Sequence, residues 1–226
     1  MKNKAIVSFA EGKSYTDMLG VALPSFYKYA DLHNYDLIIP SHKYVLDVCH
    51  EYGWKYGERP ASWLKIPIIK SLLKKYDTVL WLDCDVVIVR MDTDIAENFI
   101  DTDYTQAFTV HQTGEGFIPN MGIWLLNNNA LGLLDTIWNQ SQFIDHCWWE
   151  QRANMHVMNW NQYQPKNAQQ NLTNFGLKSI ELEYEWNVHR VDFRFRNKAE
   201  MGKFLHATQW PNRLEMMKHW ASICVA

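Results

Sequence analysis

The chain has 226 residues, with 22 Lys and Arg against 25 Asp and Glu and a formal net charge of −3. That length suits one domain with a sizeable core, and the absence of a basic stripe argues against a nucleic-acid partner. Eleven Trp, eleven Tyr and ten Phe are many for this length; such faces pack in cores and also cover sugar rings and bases.

The chain opens with a short buried strand, Ala5 to Phe9, followed by a loop with Gly12. Tyr15 to Ala30 has apolar residues at helical spacing, interrupted by Pro24, and Tyr35 to Ile39 reads as a second strand. Strand, helix, strand implies a right-handed crossover and a parallel sheet. No G-x-G-x-x-G follows the first strand and no Walker loop occurs, which excludes most dinucleotide and P-loop enzymes. Val45 to Pro60 reads as irregular. Ser62 to Tyr76 predicts a helix with Trp63, Ile66, Ile69, Leu72 and Leu73 inward.

The stretch Val79 to Val89, VLWLDCDVVIV, organises the rest. Val79 to Leu82 has the continuous apolar character of a strand buried on both faces. Asp83 and Asp85 then stand where an unpaired carboxylate is costly. Strand alternation predicts that they point the same way, roughly 7 Å apart, with Cys84 opposite. Two anionic oxygen donors there suit a hard divalent cation. Val86 to Val89 reads as a continuation or a separate strand.

Further along, Thr93 to Phe99 predicts a short capped helix, and Thr105 to Val110 a strand. The loop His111 to Pro119, with Gly114 and Gly116, reads as mobile. Met121 to Leu126 predicts a strand, Ala130 to Phe143 and Cys147 to Trp160 helices, and Ser179 to Glu185 a strand. Phe204 and Leu205 lead into His206, and Asn212 to Ile223 reads as an amphipathic helix, for packing on the core in the first place and for touching a membrane or a partner in the second. Cys49, Cys84, Cys147 and Cys224 form no Cys-x-x-Cys pair, which argues against zinc and for a reducing compartment. No signal peptide or transmembrane run is evident, so a cytoplasmic location is expected.

In this order the pieces resemble the nucleotide-sugar glycosyltransferases of the GT-A fold, with the closest likeness to glycosyltransferase family 34. The segments are SWLKIP (Ser62 to Pro67), VLWLDCDVVIV, NMGIWLLNN (Asn120 to Asn128), WWEQRA (Trp148 to Ala153), YEWN (Tyr184 to Asn187) and FLHATQ (Phe204 to Gln209). Before Ser62 only the general α/β layout matches. The resemblance implies an α/β fold of the GT-A (Rossmann-like) type, a mainly parallel mixed sheet flanked by helices in a single domain. Its nucleotide-binding half would be about 1–110 and its acceptor half about 111–226.

The resemblance also implies roles. Asp83, Asp85 and His206 would hold Mn²⁺, with Mg²⁺ as the alternative, and the metal would grip the donor diphosphate. Gln151 would stabilise the oxocarbenium-like centre, and Glu150 would hold sugar hydroxyls or act as a general base in an inverting enzyme. Lys65 would lie near the donor, and Asn120, Gly122 and Trp210 on the acceptor side. Ser8, Phe9 and Ala10, at the end of the first strand, would touch the nucleotide, Tyr15 would stack on its base, and Cys84 lies within the donor motif. The expected partners are a nucleoside-diphosphate sugar, UDP- favoured over GDP-, and a glycan or glycolipid acceptor, with peripheral membrane contact and retention of configuration. The family commonly has Gly three residues after the late His and Lys two beyond it. This chain has Gln209 and Pro211 there, with Arg213 as a displaced cation.

Three rival readings weigh less. A haloacid-dehalogenase-type phosphatase would use Asp83 as nucleophile and Asp85 as acid/base with Mg²⁺, but it needs a later acidic pair that the chain lacks. A non-catalytic sugar- or nucleotide-binding module needs a broken metal site. A pyrophosphorylase needs a Gly-rich basic loop after the first strand, where SFAEGKSY offers one Gly and one Lys.

Overall fold

In the computed structural model, which describes residues 3–100, 102–194 and 202–223, two strand–helix units open the chain. They are β1 (Lys4–Val7), α1 (Lys13–His33), β2 (Asp36–Ile38) and α2 (His42–Glu51). α1 ends on Asn34 in the left-handed conformation, a common helix stop. Pro24 lies inside it. Nearby, the Ser25 hydroxyl donates to Ala22 O and accepts from Ile88 N. α2 falls where an irregular stretch is expected from sequence. Ser41 caps it by accepting from Tyr44 N, and Val45, Val48 and Cys49 form its buried stripe.

A 3-10 turn over Ala61–Leu64 leads into α3 (Lys65–Leu72) and then β3 (Thr78–Leu82). The remaining elements are β4 (Val86–Ile88), β5 (Gln106–Thr113), β6 (Gly116–Asn127), α4 (Leu131–Trp138), α5 (Trp149–Met158), α6 (Asn174–Leu177), β7 (Ser179–Leu182), β8 (Val188–His189), β9 (Phe204–His206) and α7 (Arg213–Ser222). Cys224 lies outside the described residues.

Six strands form one sheet in the order β2-β1-β3-β6-β5-β7. β1 pairs in parallel with β2 and β3, β5 in parallel with β7, and β6 runs antiparallel between β3 and β5. β3 is buried throughout. Leu80 and Leu82 join an apolar layer with Phe26 of α1 and Met217 of α7. Val79 and Trp81 join the opposite layer with Ile66 and Ile69 of α3 and Leu134 of α4. This is the two-faced burial that the apolar run requires. Alternation in β6 distributes Trp124 and Leu125 to opposite layers in the same way.

Two expectations fail in the middle of the chain. Thr93 to Phe99 forms turns rather than a helix, with the Asp94 carboxylate accepting from Lys4, Tyr35 and Ala96 N. The stretch His111 to Pro119 is not a mobile loop. It is a hairpin in which β5 continues to Thr113 and β6 begins at Gly116, where φ is +116°. A bulge between Phe108 and Thr109 shifts its register.

β4 is separate from β3 and belongs to a second sheet, ordered β4-β9-β8, in which Val86 pairs with His206. Strands of two or three residues from distant parts of the chain thus bring the late His to the Asp-x-Asp.

Candidate active site

Asp83 and Asp85 converge through a turn, not through strand alternation. β3 ends at Leu82, Asp83 N donates to Gly122 O at 2.7 Å, and Val86 N donates to Asp83 O at 3.1 Å. Ala207 N donates to Asp85 O at 2.8 Å, which ties the turn to the residue after β9. One donor atom from each of Asp83, Asp85 and His206 lies within 4.8 Å of the others. His206 Nε2 stands 3.2 Å from Asp85 Oδ1 and 3.9 Å from Asp83 Oδ2.

The imidazole is aimed from behind. Its Nδ1 lies 3.2 Å from Asn187 Oδ1. Asn187 Nδ2 donates to Asn120 Oδ1, which also accepts from Gly122 N, both at 2.9 Å. A Cβ on Gly122 would sit 2.2 Å from His206 Cε1, so glycine is the residue that lets the ring in. Asn120 and Gly122 therefore flank His206.

Two carboxylates and an imidazole, with the imidazole's outer nitrogen fixed by a polar partner, fit a divalent cation that accepts oxygen and nitrogen ligands. Burial alone would raise the Asp85 pKa. His206 and Arg213, whose Nη1 lies 3.3 Å from Asp85 Oδ2, outweigh it and hold this carboxyl below its usual range.

Lys65 binds this centre to α5. Its Nζ lies 3.2 Å from Asp83 Oδ1, 2.8 Å from Glu150 Oε1 and 3.2 Å from Met121 O. Burial works against the ammonium, but Asp83 and Glu150 prevail and keep its pKa above the ordinary lysine range. Trp81 Nε1 also donates to Asp83 Oδ1, at 2.6 Å. Glu150 is 4% exposed. Burial raises its pKa against the pull of Lys65, and its Oε2 has no hydrogen-bond partner. Gln151 Oε1 accepts from Met121 N at 3.3 Å.

The other sequence-derived candidates fall in three places. Ser8 is fully buried at the end of β1, and its hydroxyl has no partner; Phe9 and Ala10 beside it are half-buried. Tyr15 lines a cleft of about 410 Å³ with Ser14, Met18 and the Pro211–Glu215 stretch, and Arg213 reaches over its ring at 6.0 Å. Cys84 points into the apolar layer under α1, and burial, with Asp85 and Asp83, pushes its thiol pKa up. Trp210 packs edge-on against Trp220 of α7 and under Arg190. Asn187 and Trp81 are site residues that no sequence role anticipates. Asn187 lies in the YEWN segment, the one signal that could have found it.

Gln209 explains one departure from the family pattern. It sits at φ +62°, so the left-handed backbone that suits a Gly is kept although the Gly is not.

Residues 11–121 match the galactosyl transferase GMA12/MNN10 family. That is just under half of the chain, and over it the sequence is similar to this glycosyltransferase family. The match begins well before Ser62, in the part where sequence segments suggest only a general layout, and it includes the Asp-x-Asp.

An uncharacterised α-1,2-galactosyltransferase of Schizosaccharomyces pombe is 28% identical over 146 residues, 48% of this chain and 38% of that protein. The chain thus spans well under two thirds of this curated relative. Among solved structures, a glycosyltransferase involved in glycosylation of the major capsid of PBCV-1 matches with TM-score 0.62 at 14% identity, covering 96% of this chain and 99% of that one. The galactosyltransferase LgtC, in complex with donor and acceptor sugar analogues, matches with TM-score 0.57 at 12% identity, covering 98% and 96%. At these identities the likeness is one of fold. The similarity to a glycosyltransferase family over residues 11–121, which include Asp83 and Asp85, weighs against the phosphatase reading.

Proposed function

We propose that this chain moves one sugar from a nucleoside-diphosphate donor, with UDP favoured over GDP, to a glycan or glycolipid acceptor, with retention of configuration and with Mn²⁺ (or Mg²⁺) as cofactor. The convergence of Asp83, Asp85 and His206 carries the reading. These three residues hold the cation. When bound, it supplies Lewis-acid stabilisation of the charge on the departing diphosphate.

The chain's own residues do the rest. Ser8, with Phe9 and Ala10, meets the nucleotide, and the unpaired Ser8 hydroxyl is a donor awaiting a partner. Tyr15 stacks on the base in the cleft it lines. Lys65 carries a fixed positive charge beside the donor. Glu150 Oε2 accepts a sugar hydroxyl, and Gln151 faces the anomeric centre. Glu150 Oε1 is committed to Lys65, which leaves Oε2 as the oxygen that meets the sugar.

One domain suffices for this reading, with nucleotide contacts from about 1–110 and acceptor contacts from about 111–226. The free thiols Cys49, Cys84 and Cys147 suit work in a reducing compartment, hence in the cytoplasm beside a membrane bearing glycolipid. No described helix is long and apolar enough to cross a membrane.

The test is release of nucleoside diphosphate from UDP-galactose, UDP-glucose and GDP-mannose, with Mn²⁺ and with EDTA, followed by NMR of the anomeric configuration in the product. The reading expects turnover of one donor, loss with EDTA and a retained anomer. Metal-independent turnover or an inverted product contradicts the corresponding part.

A further inference from the structure

Eleven tryptophans occur in the chain, and all lie among the described residues. Ten are buried or half-buried; Trp149 alone is exposed, at 42%. Its indole belongs to neither apolar layer, whereas its neighbour Trp148 packs on one of them. Leaving a large aromatic surface in water forgoes the burial that tryptophan normally finds.

The backbone sharpens the point. Trp149 has φ +40°, a conformation that glycine or asparagine adopts readily and that a bulky residue does not. Strain of this kind persists where the surroundings enforce it and clusters at ligand sites. Here His146 is the brace. Its Nδ1 accepts from Trp148 N at 3.0 Å and its O accepts from Trp149 N at 2.9 Å. The next residue, Glu150, turns inward to Lys65, and Gln151 bonds to β6. An exposed indole thus directly precedes a buried carboxylate with an unpartnered Oε2. A flat apolar face in water is the surface that the C–H face of a pyranose ring covers, and here it sits on the residue before Glu150.

We infer that Trp149 is a stacking platform for a pyranose ring of the acceptor. The inference rests on the proposed glycosyltransferase site and goes further, in naming the residue that receives the acceptor and the part of the acceptor it reads. Trp149 meets the sugar from the solvent side, where an acceptor enters, and is a binding residue rather than a catalytic one.

The experiment uses protein labelled with 5-fluorotryptophan and probes it with methyl β-galactoside, methyl α-mannoside, lactose and cellobiose in the presence of UDP and Mn²⁺. The Trp149 ¹⁹F resonance is identified by its loss in Trp149→Tyr. The inference expects that resonance to move with at least one glycoside. It also expects saturation transfer to that glycoside to persist in Trp149→Tyr and to fall at least about fivefold in Trp149→Leu, with UDP binding unchanged in both. A Trp149 resonance that no glycoside moves, or equal transfer in the Leu variant, overturns it. If wild type fails to bind UDP with Mn²⁺, the glycosyltransferase reading of the site fails instead. The ¹⁹F measurement on wild-type sequence decides the matter even if the Leu variant does not fold.

Discussion

Two charge clusters stand at opposite ends of β3 and behave differently. At the start, Lys4 of β1 is in register with Thr78. Its Nζ meets Asp94 Oδ2 at 2.6 Å, while Asp94 Oδ1 accepts from Tyr35 at 2.6 Å and from Ala96 N at 3.0 Å. Both carboxylate oxygens are used, one charge meets one charge, and the cluster is closed. Beyond the other end, three carboxylates (Asp83, Asp85 and Glu150) share Lys65, Arg213 and His206, and Glu150 Oε2 is left over. Closed clusters of this kind hold structure together. A crowded, incompletely paired one stores unfavourable charge that a cation and a polar ligand relieve.

The sharpest way to break this contrast is to swap the consequences. Asp85→Asn is expected to cut Mn²⁺-dependent turnover at least about a hundredfold, more than the loss expected from a residue merely supporting a ligand, with the fold retained by circular dichroism. Asp94→Ala is expected to do the reverse. It leaves Lys4 largely buried without its partner and costs about 2–3 kcal/mol in urea titration, while turnover per folded molecule stays the same. Equal effects of the two substitutions on turnover would erase the distinction.

Between these extremes lies Gly122→Ala. The added Cβ collides with His206, so a stability loss of about 1–3 kcal/mol is expected from overpacking, together with weaker Mn²⁺ binding by calorimetry. A variant that keeps full metal affinity would show that His206 is not held by this close approach.

The burial of His111 sharpens the picture of the support behind the site. Burial holds its pKa at about 4, with Asp192 opposing the shift and His206 and Arg194 adding to it. His189 packs against it at 4.7 Å. Its Nε2 contacts Asn187 O at 2.9 Å. The unfolded chain takes up a proton near pH 6.5 while the folded one does not. Stability is therefore full above that value and declines as pH falls toward 4, by up to about 3 kcal/mol. Urea midpoints measured from pH 7 to pH 4 should show a steeper decline in wild type than in His111→Gln. The smallest effect is at Gln209. Replacing it by Gly relieves φ +62°, worth about 1–2 kcal/mol, against about 0.4–1 kcal/mol of added unfolded-chain entropy, so a small net rise in thermal midpoint is expected.

The sequence made some of this visible for physical reasons. Val79 to Leu82 announces a strand buried on both faces because no polar residue interrupts it, and Asp83 and Asp85 stand out against that background. The FLHATQ segment identifies His206 by resemblance, yet its approach to the carboxylates depends on β4 and β9, each of three residues. No periodicity survives in elements that short, so the second sheet is illegible. The hairpin of β5 and β6 was obscured by Gly114 and Gly116, which suggest a loose loop whereas Gly116 supplies the positive φ of a tight one. The helix over His42–Glu51 has only three buried residues to mark it. Asn187 and the unpartnered oxygens of Ser8 and Glu150 belong to tertiary packing, which a linear pattern does not encode.

The most direct test of the account is Mn²⁺ binding followed by electron paramagnetic resonance in wild type and Asp85→Asn, each with and without UDP. The account expects wild type to bind about one Mn²⁺ per chain, more tightly with UDP present, and the variant to lose that binding. Equal Mn²⁺ binding in the two proteins, or binding indifferent to UDP, would contradict the assignment of Asp83, Asp85 and His206 as the centre that holds the donor.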